Sequence, residues 1–282
     1  MNTRKVWFIT GCDSGMGKAV AETVLEHGDR VIVTARDPNN VAELAQRFPE
    51  TASIYALDIT QAAQVREVVA NAERTAGAID VLMNNAGYGL LGPAEATSPD
   101  EYRPLFEVNF FGMAEVTRAV LPGMRKRRKG HIINTSSSGG YAASPGFAFY
   151  AASKFAVEGF SDALAQELAA FGIKVTILEP GSFRTGFAGA NLKKPKLQIE
   201  DYAQTAVSLT TTRMAQRDGT QPNDPKRLAQ VLIRITDDPS PPLRLPLGED
   251  SIDRLEKKVA ATAAEFQQWK AVALSVAFDA PK

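Results

Sequence analysis

Tyr150 and Lys154 stand four residues apart in "FYAASKFAVEGFSDALAQEL", a stretch of helix-forming composition. That spacing puts both side chains on one face of a helix. A free phenol has a pKa of about 10 and is a poor acid–base group at neutral pH. A nearby ammonium favours the phenolate, so the pair reads as a candidate proton donor and acceptor. Tyr141 has no such partner, because Pro145 occupies the position four residues on. Ser136, Ser137 and Ser138 supply hydroxyls upstream, and the residues themselves do not choose among them. Tyrosine–lysine pairs at this spacing also occur on ordinary helices, so the pair alone leaves a purely structural reading open.

A second candidate site lies near the N-terminus. "ITGCDSGMGKAVAETVLEHG" places Gly11, Gly15 and Gly17 between a strand-like run and a helical one. Glycines there allow a tight turn and a close backbone approach, while free N–H groups at the helix start face a pyrophosphate. The second strand-like run ends "VTARDPNN". An acidic side chain at that point suits the ribose of NAD, and an arginine suits the 2′-phosphate of NADP. Asp37 followed by Pro38 reads as a helix N-cap with proline at the first position, which leaves Arg36 to meet a phosphate. NADP(H) is therefore favoured over NAD(H).

The elements that would position these residues follow from periodicity. Strand-like runs at Val6–Thr10, Arg30–Ala35, Ser53–Ile59, Val81–Ala86, His131–Ser137, Lys174–Pro180 and Leu243–Leu247 alternate with segments of helical spacing. Apolar runs joined by helices predict an α/β, doubly wound parallel sheet of about seven strands, a Rossmann fold with its ligand at the strands' C-terminal edge. One catalytic domain over 1–282 is the simplest organisation. Two regions interrupt the alternation. Residues 186–221 form a long interval without a strand, read as a substrate lid. A C-terminal helical extension over 249–279 carries Ile252, Leu255, Val259, Ala263, Phe266, Trp269 and Ala273 at helical spacing. Core packing is the expected use of that stripe, with a self-association seam as the alternative.

Composition narrows the function classes. Lys plus Arg and Asp plus Glu both number 32, so the formal net charge is zero. A nucleic-acid or anionic-membrane partner is not expected, because both call for a basic surplus. The basic run "MRKRRKG" (Met124–Gly130) reads as a solvated helix C-terminus. Cys12 is the single cysteine, and the two histidines, His27 and His131, lie far apart, so neither a disulfide nor a metal site is expected. Without a signal-like or membrane-spanning apolar stretch, the expected location is the cytoplasm.

Taken in order, "TGCDSGMG", "LDIT" at Asp58, "NNAG" at Asn84–Gly87, "VNFFG" with Asn109, "INTSSSG", "YAASK" and "PGSFRT" at Pro180–Thr185 make the chain resemble the short-chain dehydrogenase/reductase family. The string "TGCDSG" is similar to the retinol and hydroxysteroid dehydrogenase branch. The resemblance runs from about Val6 to Thr185. It implies a catalytic set of Asn109, Ser137, Tyr150 and Lys154, the serine being selected by its family spacing of thirteen residues before the tyrosine. Tyr150 would exchange a proton with the substrate oxygen and Ser137 would hydrogen-bond that oxygen. Lys154 would bind the nicotinamide ribose and lower the phenol's pKa, and Asn109 would anchor a proton-relaying water. The resemblance further implies that Thr10, Gly11, Ser14, Gly15, Met16 and Gly17 line the cofactor phosphates. Asp58 and Ile59 would flank adenine, Asn85, Ala86 and Gly87 the adenosine ribose, and Pro180, Gly181, Phe183 and Thr185 the nicotinamide. Family members that prefer NADP often carry a basic residue just before the second loop glycine, where this chain has Ser14 preceded by Asp13.

Apolar residues dominate the substrate end, with Phe187, Leu192, Leu197, Ile199, Tyr202, Val207, Leu209 and Met214 in the lid interval. Gly89, Leu90, Leu91, Tyr141, Phe147 and Phe149 would approach the same cleft. Such a wall suits a lipophilic ketone, aldehyde or secondary alcohol. The expected activity is an NADP(H)-dependent oxidoreductase acting on that class, probed against an NAD-dependent alcohol or hydroxysteroid dehydrogenase and a non-catalytic dinucleotide sensor. A homodimer or homotetramer is implied by the family.

Overall fold

The computed structural model describes residues 4–278. Seven parallel strands form one sheet in the order β3-β2-β1-β4-β6-β7-β9. They are β1 (Val6–Ile9), β2 (Arg30–Ala35), β3 (Ala52–Ala56), β4 (Val81–Asn84), β6 (Gly130–Thr135), β7 (Ile173–Pro180) and β9 (Arg244–Leu247). Helices α1 (Gly15–His27), α2 (Ala42–Arg47), α3 (Ala62–Ala76), α5 (Met113–Arg127), α6 (Ala148–Ala169) and α8 (Pro225–Asp237) connect them, and α4 (Pro99–Phe106) precedes α5. This is the doubly wound Rossmann-type architecture expected from the alternation.

Side chains of successive strand residues point to opposite faces, which divides the core in two. Trp7, Ile9, Val31, Val33, Val81 and Met83 pack beneath α1 and α8, where Val20, Val24, Leu228 and Leu232 meet them. Phe8, Ile32, Leu82 and Ile132 face the other way, onto Val65, Val69, Val116, Val120 and Leu164 of α3, α5 and α6. Because both faces are covered, the central strands are buried along their whole length.

Strand order reverses between β1 and β4, so the crossovers from these neighbours leave in opposite directions. Their C-terminal ends part there and open the crevice where this fold holds ligands. Four strands end before the sequence pattern suggested. β1 stops at Ile9, β3 at Ala56, β4 at Asn84 and β6 at Thr135. Just beyond three of these ends, Thr10, Leu57 and Ser136 still donate across the sheet, to Met83 O, Ala35 O and Leu178 O, and the chain turns into the crevice after them. Local signals elsewhere hold well: Asp37 accepts from Asn39 N at 3.0 Å and caps a 3₁₀ turn begun by Pro38. Gly28 closes α1 at φ 98° after His27.

The interval 186–221 is not strandless. Leu192–Lys193 (β8) pairs in parallel with Gly89–Leu90 (β5), and Ala206–Arg217 forms α7. The pairing ties this segment to the chain just after Gly87. Two residues are too few to produce a strand pattern in sequence.

The expectation of core packing for the C-terminal stripe is overturned. Helix α9 (Glu249–Leu274) buries Ser251 and Leu255. Val259 is 51 %, Phe266 69 % and Trp269 56 % exposed. Its first turns lie against β9 and the turn Ser138–Gly140, and from Lys257 onward the helix is almost wholly exposed. Asp279, the last residue assigned to the extension, lies outside the described residues.

The two tryptophans report this difference directly, since Trp7 is fully buried and Trp269 is exposed. In a Trp7→Phe variant the remaining emission should be red-shifted and readily quenched by iodide. In Trp269→Phe it should be blue-shifted and protected. Protection of Trp269 would show that another surface covers α9.

Candidate active site

The crevice begins with the glycine loop. Gly11 and Gly15 adopt φ 69° and 57°, the left-handed region that side chains disfavour. A Cβ on Gly17 would lie 2.2 Å from Gly11 O and 2.4 Å from Asn85 Nδ2, so only glycine lets α1 start this close to the loop. Ser14 precedes the helix without capping it through its side chain. The first-turn N–H groups of Gly15, Met16 and Gly17 therefore remain available to an anion.

The loop after β4 clasps the glycine loop. Asn85 Nδ2 donates to Thr10 O and Gly11 O, both at 3.0 Å. Thr10 Oγ1 accepts in return from Asn85 N at 3.0 Å and Ala86 N at 3.1 Å. The side chains of Thr10 and Asn85 are thereby occupied in joining β1 to β4. Asp58 Oδ1 likewise accepts from Thr60 N and Oγ1, which shapes the turn where Ile59 is buried. Arg36 projects from the end of β2 into solvent, near enough to Tyr88 for its charge to favour the phenolate there, although burial pushes that phenol up overall.

Asn109 sits in a π-helical turn, Glu107–Gly112, between α4 and α5. Such turns insert one residue into a helix and recur at functional sites. Asn109 is 1 % exposed, and its Nδ2 donates to Tyr88 O at 3.0 Å and to Ser153 Oγ at 3.1 Å. Its Oδ1 accepts from Tyr88 N at 3.1 Å. A Cβ on Gly87 would lie 3.1 Å from Asn109 Oδ1 and 3.5 Å from Lys154 Nζ, so Gly87 brings those two groups to one spot.

Helix α6 carries Tyr150 and Lys154 on its buried face. Ser137 caps the turn Ser138–Gly140 by accepting from Gly139 N at 3.0 Å. A Cβ on Gly139 would approach Ser137 Oγ at 3.4 Å and the Tyr150 ring at 3.7 Å, so the two hydroxyl-bearing residues flank one point. The aromatic rings of Phe147 and Phe187 lie 5.6 and 5.5 Å from that of Tyr150. Leu90 and Tyr88 complete the apolar wall.

Burial dominates the ionisation of this set. It pushes the Tyr150 phenol up to about 12, against the hydrogen-bonding influence of Ser137 and the charge of Arg254. It pushes the Lys154 ammonium down to about 8, with Glu158 opposing. Lys154 Nζ donates to Thr135 O at 2.8 Å and stands 6.0 Å from the tyrosine ring centroid. Desolvation outweighs the opposing influences of Ser137 and Arg254 on the phenol.

At the far end of the crevice, β7 runs into Pro180–Thr185. A Cβ on Gly15 would lie 3.4 Å from Thr185 Cβ, so this loop reaches back to the glycine loop. Phe183 bridges to Asn223, and Gly181 packs against Asp250, which accepts from Ser182 N at 2.7 Å. Pro180 pairs with Leu247 of β9.

Several residues at the site escaped sequence reasoning. Asp250, Ser251 and Arg254 come from α9, far along the chain, and no spacing signalled them. Glu158 and Glu179 are 6 % and 0 % exposed, and their carboxylate oxygens find no hydrogen-bond partner among the described residues. Arg244 Nε approaches Glu158 Oε2 at 3.4 Å and Glu179 Oε1 at 4.0 Å, while its Nη2 donates to Asp162 Oδ2 at 3.1 Å. Glu158 lies one helical turn beyond Lys154, so the i, i+4 rule that found the lysine also reaches it. Among the described residues no group of three or more His, Cys, Asp or Glu side chains is arranged to hold a metal ion, and no helix is long and apolar enough to cross a membrane.

The short chain dehydrogenase family model matches residues 5–196. The chain belongs to the short-chain dehydrogenase family. An oxidoreductase of Botryotinia fuckeliana is 38 % identical over 274 residues, covering 97 % of this chain and 99 % of that one. A 3-ketodihydrosphingosine reductase of Bacteroides thetaiotaomicron is 38 % identical over 247 residues, covering 86 % and 88 %. Among solved structures, a short-chain dehydrogenase from Streptomyces avermitilis superposes with a TM-score of 0.92 at 38 % identity, covering 98 % of this chain and 100 % of that one. A serine dehydrogenase complexed with NADP+ gives a TM-score of 0.74 at 27 % identity, covering 86 % and 94 %. This short-chain dehydrogenase is thus an oxidoreductase that works with a nicotinamide dinucleotide. The glycine turn without room for a Cβ, the uncapped helix start and the clasped loop beside it all fit that cofactor.

The buried glutamates generate a stability prediction. Burial first, and then the charge of Glu158, push Glu179 up to about 7 against the pull of Arg244. Its folded pKa exceeds its unfolded one, so it favours the folded state most below about pH 4.5, and that contribution fades as pH rises through 7. The difference amounts to roughly 3 kcal/mol. Glu179→Gln stays neutral throughout, so its Tm should fall less than that of the wild type between pH 5 and 8. Parallel Tm–pH curves would contradict the assignment.

Proposed function

We propose that this enzyme is an NADP(H)-dependent oxidoreductase that interconverts a lipophilic ketone or aldehyde and the corresponding alcohol, with Tyr150 as proton donor and acceptor. The observation that carries the reading is the pairing of Ser137 with Tyr150 beside Gly139 and of Asn109 with Lys154 beside Gly87, the lysine Nζ standing 6.0 Å from the tyrosine ring under an aromatic wall. The relationship to a 3-ketodihydrosphingosine reductase, whose name denotes a ketone on a lipid chain, supports the substrate class. The serine dehydrogenase complexed with NADP+ supports the cofactor.

When bound, the nicotinamide supplies a hydride to the carbonyl carbon, or takes one from the alcohol carbon. The chain's own part is to handle the proton and the developing charge. A phenol held up near 12 is protonated at neutral pH and loaded for transfer to a carbonyl oxygen. Ser137, fixed by Gly139 N, donates to the same oxygen and stabilises it as it becomes negative. Lys154 faces the position beside Gly87 with its ammonium and binds the nicotinamide ribose. Asn109, locked by Tyr88 and Ser153, holds the relay that returns a proton through Lys154. The uncapped first turn of α1, with Ser14, Gly15, Met16 and Gly17, receives the phosphates. Asp58 and Ile59 flank adenine, Ala86 and Gly87 border the ribose, and Phe183 and Thr185 face the nicotinamide.

Arg36 reads as the 2′-phosphate partner because Asp37 is committed to Asn39 N and Arg36 projects into solvent. Residues 186–221 form the lid of one catalytic domain, fastened by the β5–β8 pair. Phe111 and Phe155, 50 % and 46 % exposed near the Asn109 turn and on α6, suit burial in a homo-oligomer. A cytoplasmic location agrees with a single buried Cys12, whose thiol burial pushes up to about 12.

Tyr150→Phe should lower ketone reduction by about 10²–10⁴-fold while dinucleotide affinity stays within twofold. Unchanged turnover would refute Tyr150 as proton donor. Arg36→Ala should weaken NADPH binding about tenfold or more and leave NADH nearly unaffected. Equal losses for the two would remove the proposed phosphate contact.

A further inference from the structure

We infer that Arg254, on the second turn of α9, is a positioning residue whose charge acts on the Tyr150 hydroxyl and eases its ionisation during turnover. The inference rests on Tyr150 as the proton carrier and adds a residue from outside the family's motifs.

Three contacts hold the start of α9 against the site. Asp250 Oδ2 accepts from Ser182 N at 2.7 Å, and Ser251 Oγ donates to Glu179 O at 2.6 Å. One turn later, Arg254 Nη2 donates to Ser144 Oγ at 2.6 Å. Ser144 lies in the link between the Ser137 turn and α6, so Arg254 is fastened to the same short segment that sets the spacing of serine and tyrosine. The helix is thereby braced at the exit of β7 and at the catalytic link together.

Charge balance gives this placement its effect. Among the described residues no carboxylate oxygen lies within 4.0 Å of an Arg254 nitrogen. The acid one turn back, Asp250, acts on Arg254 through its charge but spends its oxygens elsewhere, accepting from Ser182 N and, through Oδ1, from Asn223 Nδ2 at 3.1 Å. The guanidinium is half-buried, so solvent screens it less than a surface arginine. Around Tyr150 the charged groups are Lys154 on its own helix and Arg254 from α9. Ser137, Phe147 and Phe187 are neutral. Lys154 is directed at Thr135 O and is itself pushed toward neutrality by burial, which leaves Arg254 as the fixed cation. A permanently charged group suits this task, because it does not titrate in the working range.

The test reads Tyr150 directly, without turnover. Protein labelled with ¹³Cζ-tyrosine is titrated by NMR between pH 8 and 12.5 as the NADP+ complex, with the Tyr150 resonance assigned by its loss in Tyr150→Phe. Arg254→Gln should move the onset of Tyr150 ionisation up by about one pH unit, and Arg254→Lys should restore it at least in part. Identical curves for wild type and Arg254→Gln overturn the inference, as does a downward shift. Where an alcohol is oxidised, the ascending limb of kcat against pH should shift likewise. A KM increase confined to anionic substrates with unchanged limbs would make Arg254 a substrate-binding residue and also overturn it. If Arg254→Gln does not fold, Ser144→Ala loosens the guanidinium while keeping its charge, and an unmoved onset there overturns the proposal. Failure of the activity itself would appear separately, as full turnover by Tyr150→Phe.

Discussion

Everything at the active site depends on the parting of β1 and β4 at their C-terminal ends and on the clasp that spans it. Asn85 holds two carbonyls of the glycine loop while Thr10 holds two N–H groups of the loop after β4. These four bonds keep the glycine turn open against α1 and fix where Gly87 lies. Gly87 in turn lies against both Asn109 Oδ1 and Lys154 Nζ. The bonds are half-buried and mutually satisfied, so opening one would leave its polar partners poorly placed to find another.

The same burial governs the chemistry. Removing Tyr150 and Lys154 from solvent keeps the phenol protonated and weakens the ammonium, so neither group is poised by its own nature. The cleft makes local electrostatics decisive, since few charges share the space and little water screens them. Arg254 and Glu158 enter on those terms, one beside the tyrosine and one turn beyond the lysine. Glu179, crowded against Glu158 with one arginine between them, shows the cost of gathering acids behind a working site. A chain that tolerates such a pair so close to the Pro180–Thr185 loop trades some stability for arrangement there.

The fold was legible because its signals are local. Alternating strands and helices and the Asp37–Pro38 cap are each decided by neighbours within a few residues. Strand ends were misjudged by one to three residues, because nothing in the local pattern marks where the chain turns from the sheet into the crevice. The β5–β8 pair was invisible because two residues carry no period. The α9 stripe misled in the opposite direction: helical spacing showed an apolar face, but spacing says nothing about whether a surface is present to receive it.

By itself the sequence determined the doubly wound sheet, the glycine turn and the one helical face shared by Tyr150 and Lys154, all consequences of backbone geometry over short spans. It also named the family, through motifs in order. Tertiary structure alone decided which charges surround Tyr150, that the lysine turns toward Thr135 O, and that Asp250, Ser251 and Arg254 reach the site from the C-terminal helix. The physical reason is range. Backbone preferences act between neighbours in the chain, whereas desolvation and Coulomb interactions act between neighbours in space, and only the folded chain specifies those.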